Sequence, residues 1–228
     1  MTNRWFIYPV AALSALTMLA IGALLILVIV TYPRLPSLDT ITDYRPKIPL
    51  RIFTQDGQQI GEFGEERRAF VPIDKVPLQM KQAILAAEDE RFYQHGGVDY
   101  IGVARAALTN LLSAEARQGA STITQQVAKN FFLSSERTFT RKFNEALLAF
   151  KIEHNLSKDK ILELYINQIY LGQRAYGFAS AAQIYYGKRL DDLSVAEMAM
   201  LAGLPKAPSS YNPVASPRRA QLRQQYVL

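Results

Sequence analysis

The longest apolar run of the chain lies close to its amino terminus. Residues 5–32 contain no charged side chain and consist mostly of Leu, Ala, Ile and Val. About 20 consecutive apolar residues suffice to span a bilayer, and the apolar core of a cleavable signal peptide is shorter than this run. Trp5 at its start and Tyr32 at its end suit the two membrane interfaces. We therefore predict an uncleaved, single-pass transmembrane helix over residues 5–32.

The flanks of this run bear on its orientation. Arg4 precedes it and Arg34 follows it, so the positive charges are nearly balanced across the span. Because almost nothing upstream has to cross the membrane, we place residues 1–4 in the cytoplasm and the remainder of the chain on the outer face. Residues 33–49 are rich in Pro, Asp and Thr and predict a linker.

Two short runs of alternating residues follow the linker. They are Leu50–Thr54 and Gln59–Phe63, and an Asp56-Gly57 pair lies between them. An Asp-Gly pair between alternating runs predicts a β-hairpin. Two strands cannot form a core by themselves, so we expect the hairpin to lean on a helical body.

From Pro77 onward, apolar residues recur at the spacing of helices. Ser121, Ser157 and Ser194 are predicted N-caps, and Ser194 is followed by Glu197 in a capping-box pattern. The predicted helices cover residues 77–88, 100–112, 121–131, 138–155, 157–170, 175–185 and 195–204, and an eighth starts at 216–217. This last helix reaches Leu228 without a stop signal, so we expect residues 216–228 to lead into a further region of a longer protein. The predicted fold class is mainly α.

Composition narrows the classes of function. The absence of cysteine excludes disulfides, thiolate metal sites and cysteine nucleophiles, and two histidines are too few for a histidine-rich metal site. The net charge of +6 favours an anionic partner such as phosphate, anionic lipid or nucleic acid. Nucleic acid is not expected, because the sequence has no recognisable binding motif and no basic stripe with stacking aromatics.

The first candidate for catalysis is the stretch of residues 88–99 that ends the first helix of the domain. It combines three consecutive acidic residues, two aromatics, His95 and a Gly-Gly pair. A partly desolvated carboxylate at such a position has a raised pKa and can act as a general base or acid. An acidic cluster is more often a solvated helix end, and the local pattern does not choose among Glu88, Asp89 and Glu90.

A second cluster of polar and basic residues lies between 119 and 145. Residues 119–126 are rich in hydroxyls and amides at a predicted helix start, which can bind an anion or simply cap the helix. Arg141 and Glu145 have the spacing of a helical ion pair. The apolar run 146–150 indicates that most of this helix is buried, so we expect its charged residues to border a cleft. Four cations suit a pyrophosphate: Lys129, Arg137, Arg141 and Lys142.

Several motifs in a fixed order carry a family resemblance. They are Glu88-Asp89-x-x-Phe92-x-x-His95-x-Gly97, Gly119-x-Ser121-Thr122-Ile123-Thr124-Gln125-Gln126, Arg141-Lys142-x-x-Glu145, a run from Lys160 to Gly172, and Tyr176-Gly177 with Ala181-Ala182. Over residues 50–215 the chain resembles the peptidoglycan glycosyltransferase domain of class A penicillin-binding proteins, the penicillin-binding protein 1A type in particular. Ile166 and Leu171 depart from the family pattern, where Leu and an aromatic are expected.

The resemblance implies a fold, a reaction and a location. The fold is a lysozyme-like helical domain with a small membrane-proximal lobe. The reaction polymerises lipid II into β-1,4-linked glycan strands by inverting transfer and releases undecaprenyl pyrophosphate. The location is the bacterial cytoplasmic (inner) membrane with the domain on its periplasmic face. The implied partners are lipid II, the growing strand, membrane lipid and other cell-wall synthesis proteins, and residues 216–228 would lead to a transpeptidase region.

The resemblance also assigns roles to residues. Glu88 resembles the general base, and Glu145 resembles a second glutamate that orients the cations or a divalent metal, Mg²⁺ or Mn²⁺. No cofactor is implied as a firm requirement. Lys129, Arg137, Arg141 and Lys142 resemble pyrophosphate ligands, and Ser121 and Gln126 resemble polar contacts of the donor site. Asp89 and His95 are expected to hold the Glu88 loop, and residues 113–119 to form a mobile lid.

Three alternative functions remain open at this point. A lysozyme-like lytic enzyme would also use one glutamate, although it needs no group of cations for a pyrophosphate. A non-catalytic cell-wall scaffold would need no general base at all. A transpeptidase is suggested by Ser157-x-x-Lys160 and Ser210-x-Asn212, but no Lys-Thr-Gly or Lys-Ser-Gly accompanies them, and Ser157 is explained as a helix cap.

Overall fold

A long apolar helix leads into the domain. The computed structural model describes residues 4–42, 44, 50–64, 66–112, 119–134, 136 and 138–228. Helix α1 spans Arg4–Thr31. By length and composition the segment Tyr8–Arg34 could cross a membrane, and its most apolar stretch is not buried against the rest of the protein. Such a helix fits the predicted anchor.

The segment after α1 is tied to the domain. A short helix, α2, spans Asp39–Thr42, and its Ile41 is fully buried in the core. Leu35 is also buried, and the Nζ of Lys151 donates a hydrogen bond to the carbonyl oxygen of Pro36 at 2.9 Å. The described part of the predicted linker is therefore fixed on the domain at several points. Residues 43 and 45–49 lie outside the described chain.

The predicted hairpin is confirmed, but its expected packing is not. Strands β1 (Leu50–Phe53) and β2 (Gln59–Phe63) pair antiparallel, and Gly57 has the positive φ of 84° that the turn requires. The described side chains of Leu50, Ile52 and Ile60 are exposed. These three side chains do not pack on the helical body, and the expectation that the hairpin leans on it stays a prediction, because the side chains of Phe53 and Phe63 lie outside the described part of the chain.

Eight helices form the body of the described domain. They are α3 (Leu78–Glu88), α4 (Tyr100–Leu112), α5 (Ile123–Phe132), α6 (Phe139–Asn155), α7 (Lys158–Gln168), α8 (Phe178–Tyr186), α9 (Val195–Gly203) and α10 (Pro217–Val227). Ser157 and Ser194 cap α7 and α9 as predicted, with a capping box at Ser194. The mainly α fold class is confirmed.

Two local predictions were wrong. Thr122, and not Ser121, caps α5, because its hydroxyl accepts a hydrogen bond from the backbone N–H of Gln125 in a capping box. The helix predicted from Ala175 starts only at Phe178, since Ala175–Tyr176 forms strand β4 and Gly177 turns the chain with a φ of 84°. Strand β4 pairs in parallel with the two-residue strand β3, Arg67–Arg68, which the sequence pattern did not reveal.

The core brings two groups of helices together around one opening. Helix α5 packs against α6 and α7, and α9 packs against α3 and α10. The apolar residues at the centre include Ile84, Ile123, Leu148, Ile161 and Tyr165, all fully buried. Because α3 ends where α5 and α6 begin, the carboxyl end of α3 faces the polar first turns of two other helices.

Candidate functional site

A large cleft opens between the end of α3, the starts of α5 and α6, and the α9–α10 side of the domain. Its volume is about 1130 Å³, a size that suits a large ligand. It is lined by seven of the residues that the sequence singled out: Glu88, Ser121, Gln126, Lys129, Arg141, Lys142 and Glu145. Arg137 and residues 113–118 lie outside the described chain. The structure thus brings the described candidates into a single site.

Glu88 is the last residue of α3 and presents its carboxylate to the cleft. The side-chain amide of Gln126 donates a hydrogen bond to its Oε2 at 2.7 Å. Burial raises the pKa of the Glu88 carboxyl above its ordinary value; the Gln126 hydrogen bond and the positive charges of Arg223 and Lys206 act in the opposite direction. Glu88 is therefore a stronger base than a solvated glutamate.

Asp89 lines the cleft beside Glu88 and joins two elements of the domain. It is buried, its Oδ1 lies 2.9 Å from the Nε2 of His95, and its Oδ2 accepts a hydrogen bond from the backbone N–H of Ile123 at 3.0 Å. A carboxylate is favoured there because Ile123 opens α5, where the N–H groups are unpaired and the helix dipole is positive. Asp89 thus fixes the end of α3 to the start of α5.

The loop after Glu88 is held by a second contact and by one glycine. The hydroxyl of Thr122 donates a hydrogen bond to the carbonyl oxygen of Gly97 at 2.6 Å. Gly97 has a φ of 86°, and a Cβ there would lie 3.0 Å from the backbone carbonyl carbon of Ala149 in α6. Only glycine combines this backbone conformation with so close an approach. The loop therefore packs between α5 and α6 and is held by contacts with both helices.

The first turns of α6 carry a compact charged cluster. The Nη1 of Arg141 donates to Oε2 of Glu145 at 2.7 Å, and the Nζ of Lys142 donates to Oε1 of the same carboxylate. Lys142 also donates to the Oγ of Ser121 at 2.9 Å, which links α6 to the residue before the α5 cap. Glu145 is only 3% exposed, whereas the side chain of Lys142 is 46% exposed. The buried carboxylate therefore orients two cations toward the cleft.

The cluster has a net positive charge. With Lys129, which is exposed on the same wall, three cations oppose the single carboxylate of Glu145. This excess of positive charge suits a phosphate or pyrophosphate group. The arrangement does not suit a metal bound at Glu145, because both of its oxygens already accept hydrogen bonds from cations. Among the described residues no group of three or more His, Cys, Asp or Glu side chains could hold a metal ion.

The opposite wall carries cations that sequence reasoning missed. Lys206, Arg219 and Arg223 all line the cleft. The Nη2 of Arg223 donates to the carbonyl oxygen of Ala87 at 3.4 Å, and its guanidinium lies 4.5 Å from the ring of Tyr226. The arginine-rich start of α10 was visible in the sequence. Nothing local indicated that this helix would pack beside Glu88.

Comparisons with known proteins show the family of this chain. The sequence model of the Transglycosylase family matches residues 56–228. The penicillin-binding protein 1A of Neisseria flavescens is 64% identical over 94% of this chain and 27% of its own length. That of Escherichia coli K12 is 55% identical over 86% of this chain and 23% of its own. The chain thus spans about a quarter of the length of these relatives.

A solved structure is also similar. The crystal structure of penicillin-binding protein 1A from Haemophilus influenzae shares 31% sequence identity with a TM-score of 0.43, covering 80% of this chain and 18% of that one. The match of the family model extends over most of the chain, from the hairpin to α10. The chain belongs to the Transglycosylase family.

Proposed function

We propose that this chain is a peptidoglycan glycosyltransferase that polymerises lipid II into β-1,4-linked glycan strands and releases undecaprenyl pyrophosphate. The observation that carries the proposal is that Glu88, with its raised pKa, shares one cleft with the cations of α5 and α6. Such a pairing supplies both halves of a glycosyl transfer, a base for the acceptor and positive charge for the leaving group. The family membership and the apolar helix α1 support the same conclusion.

Glu88 acts as the general base. Its Oε2 is held by Gln126, which leaves Oε1 to accept the proton of the acceptor sugar's 4-hydroxyl. As that proton moves to Oε1, the hydroxyl oxygen forms a bond to the anomeric carbon of the growing strand. The bond from this carbon to the pyrophosphate oxygen breaks, and the pyrophosphate departs with the electron pair. Attack from the face opposite the leaving group inverts the anomeric centre without a covalent intermediate.

The cations on α5 and α6 stabilise the departing pyrophosphate. Lys129, Arg141 and Lys142 line the wall where negative charge develops, and fixed positive charge there lowers the barrier. Glu145 keeps two of these cations in place before the substrate arrives, so little reorganisation is needed. Ser121 contributes a hydroxyl beside Lys142. Arg137 is assigned to the same group on the family resemblance alone.

The opposite wall suits the acceptor. Lipid II carries its own pyrophosphate, so a second anionic group has to be held on the other side of Glu88. Lys206 and Arg219 are exposed cations that line the cleft on that side. A long-range attraction between these charges and the pyrophosphate would place the 4-hydroxyl near the base. Glu88 then lies between two anion-binding regions.

The proposal places the domain at a membrane. Helix α1 anchors it in the bacterial inner membrane with its amino terminus in the cytoplasm and the cleft on the periplasmic face. Membrane lipid and other cell-wall synthesis proteins are the proposed partners. A lipid-linked substrate is available to an enzyme held at the bilayer surface, because both reactants then diffuse in the same plane.

The test uses two substrates. The purified chain, in detergent with its helix α1 intact, is incubated with labelled lipid II and, separately, with finished peptidoglycan. We expect glycan polymers from lipid II and no cleavage of peptidoglycan. Cleavage without polymerisation would establish a lytic enzyme. The absence of both activities would favour a non-catalytic scaffold. A fluorescent penicillin should not label the chain, since Ser157 serves as the N-cap of α7.

A further inference from the structure

A second cavity lies where the apolar helix α1 meets the domain. Its volume is about 500 Å³. One side comes from the end of α1 and the residues after it, and the other side comes from the end of α5 and one face of α6. The lining residues are Leu27, Thr31, Arg34, Leu35, Pro36, Leu133, Phe139, Thr140, Phe143, Asn144 and Leu148.

The cavity lies at the level where the candidate membrane span ends. The span runs from Tyr8 to Arg34, and Arg34 itself lines the cavity. The position of this junction is fixed, because Leu35 is buried in the core and Lys151 binds the carbonyl oxygen of Pro36. A cavity beside the end of a spanning helix opens where acyl chains meet headgroups. The molecules that surround it there are the lipids of the bilayer.

The chemistry of the lining matches such a lipid. Seven of the eleven lining residues that the structure describes are apolar, and Arg34 is the single charged residue among them. Amphipathic ligands at a bilayer surface place their hydrocarbon chain against apolar walls and their phosphate at an exposed basic residue such as arginine. Asn144 adds a polar contact: its Oδ1 is buried, and none of the described residues donates a hydrogen bond to it. A headgroup hydroxyl is a donor that would satisfy this oxygen.

Helix α6 separates this cavity from the catalytic cleft. Arg141, Lys142 and Glu145 line the cleft, whereas Thr140 and Asn144, on another face of the same helix, line the cavity. Among the described residues, none lines both sites. The cavity is therefore distinct from the cluster of Lys129, Arg141 and Lys142 in the cleft. A molecule bound in the cavity would nevertheless contact α6, the helix that carries Lys142.

We propose that this cavity binds one acyl chain of a phospholipid from the surrounding bilayer, with the phosphate at Arg34 and a headgroup hydroxyl at Asn144. Phosphatidylglycerol has both groups and is the probe of choice. Such a lipid fills the gap between α1 and α6 and fixes the domain at a set height above the bilayer. The proposal depends on α1 lying in a membrane and not on the glycosyl-transfer chemistry.

Fluorescence quenching tests the site directly. The only tryptophan of the chain, Trp5, is replaced by Phe, and a reporter is introduced as Phe143→Trp. The full chain is reconstituted into vesicles in which phosphatidylglycerol carries bromine atoms on its acyl chains. We expect the reporter to lose most of its fluorescence. A matched reporter, Tyr186→Trp, sits at a half-buried position of α8 outside the cavity and should keep its fluorescence.

A second reporter, a substitution of Arg34 and an insertion control complete the test. Thr140→Trp, at an exposed position of the same cavity, serves as a second reporter if Phe143→Trp fails to fold. In either reporter, Arg34→Gln should reduce quenching by brominated phosphatidylglycerol and abolish its advantage over brominated phosphatidylcholine. Leu19→Trp, in the exposed middle of α1, reports correct insertion because bilayer lipid should quench it in every case.

Either of two results would overturn the whole proposal, and a third would overturn its assignment of Arg34. One is an unquenched cavity reporter in vesicles where the Leu19→Trp reporter is quenched, which would show that no phospholipid enters. The other is recovery of the cavity reporter's fluorescence on adding a small amount of unlabelled polyprenyl phosphate, which would assign the cavity to the lipid tail of the substrate. Equal quenching by both headgroups, unaffected by Arg34→Gln, would reject the role of Arg34.

Discussion

Replacing Glu88 by glutamine removes the proposed base while keeping the shape of the side chain. The glutamine oxygen can still accept the hydrogen bond that Gln126 now donates at 2.7 Å, so the geometry of the cleft should persist. A positioned general base contributes about 10²–10⁴-fold to the rate. We therefore expect Glu88→Gln to reduce turnover by about that factor, which corresponds to roughly 3–5 kcal/mol in the activation barrier.

The same substitution should not destabilise the protein. Because burial raises the pKa of Glu88 in the folded state, folding favours the protonated form of this carboxyl. The stability that the protonated carboxyl contributes is present at low pH and is lost as the pH rises through the folded-state pKa. At neutral pH the ionised carboxylate costs free energy, and a neutral glutamine removes this cost. We expect the midpoint of thermal unfolding at neutral pH to stay the same or to rise.

Polymerisation of lipid II and thermal unfolding are measured on the same preparations. Glu90→Gln is the matched control, since Glu90 lines the same cleft two residues away and is exposed. The control should retain its turnover. Near-normal turnover of Glu88→Gln would refute the assignment of the base. An equal loss of turnover in both variants would show that the net charge of the loop, and not a specific base, determines the rate.

Three further substitutions test other parts of the site. Arg223→Gln removes a positive charge that lowers the pKa of Glu88, so the acid limb of the pH–turnover profile should move to higher pH. Lys142→Ala should weaken binding of a pyrophosphate-bearing ligand by about tenfold, the lower end for a charged hydrogen bond because Lys142 is half exposed. Gly97→Ala should cost at least about 1–2 kcal/mol in the free energy of unfolding, from the positive φ and the approach to Ala149.

Each of these substitutions has a control on a neighbouring or equivalent residue. Arg218→Gln changes an exposed arginine of α10 that does not line the cleft, and it should leave the pH profile unchanged. Lys75→Ala removes an exposed lysine elsewhere and should leave affinity unchanged. Gly96→Ala is the control for Gly97, because a Cβ at Gly96 meets no atom within 4 Å. If a variant and its control behave alike, the corresponding argument is wrong.

Several elements of this protein can be recognised from local sequence patterns. The uncharged run of residues 5–32 predicted α1, and apolar spacing located the helices from Pro77 onward. Ser157 and Ser194 marked two helix starts correctly. These features are readable because membrane insertion, helical periodicity and N-capping depend on residues within a few positions of one another. The ordered motifs then named the family that the comparisons show.

Which residues face one another depends on how the elements pack. Sequence alone could not choose Thr122 over Ser121 as a cap, because the choice follows from contacts with Gly97 and Asp89 on another segment. It could not foresee that α10 would bring Arg223 to the end of α3, since that depends on packing between elements more than a hundred residues apart. The pKa of Glu88 also depends on this packing. Burial raises the pKa of Glu88, and cations that are distant in the sequence oppose this change, so the basicity of this carboxylate depends on its tertiary surroundings.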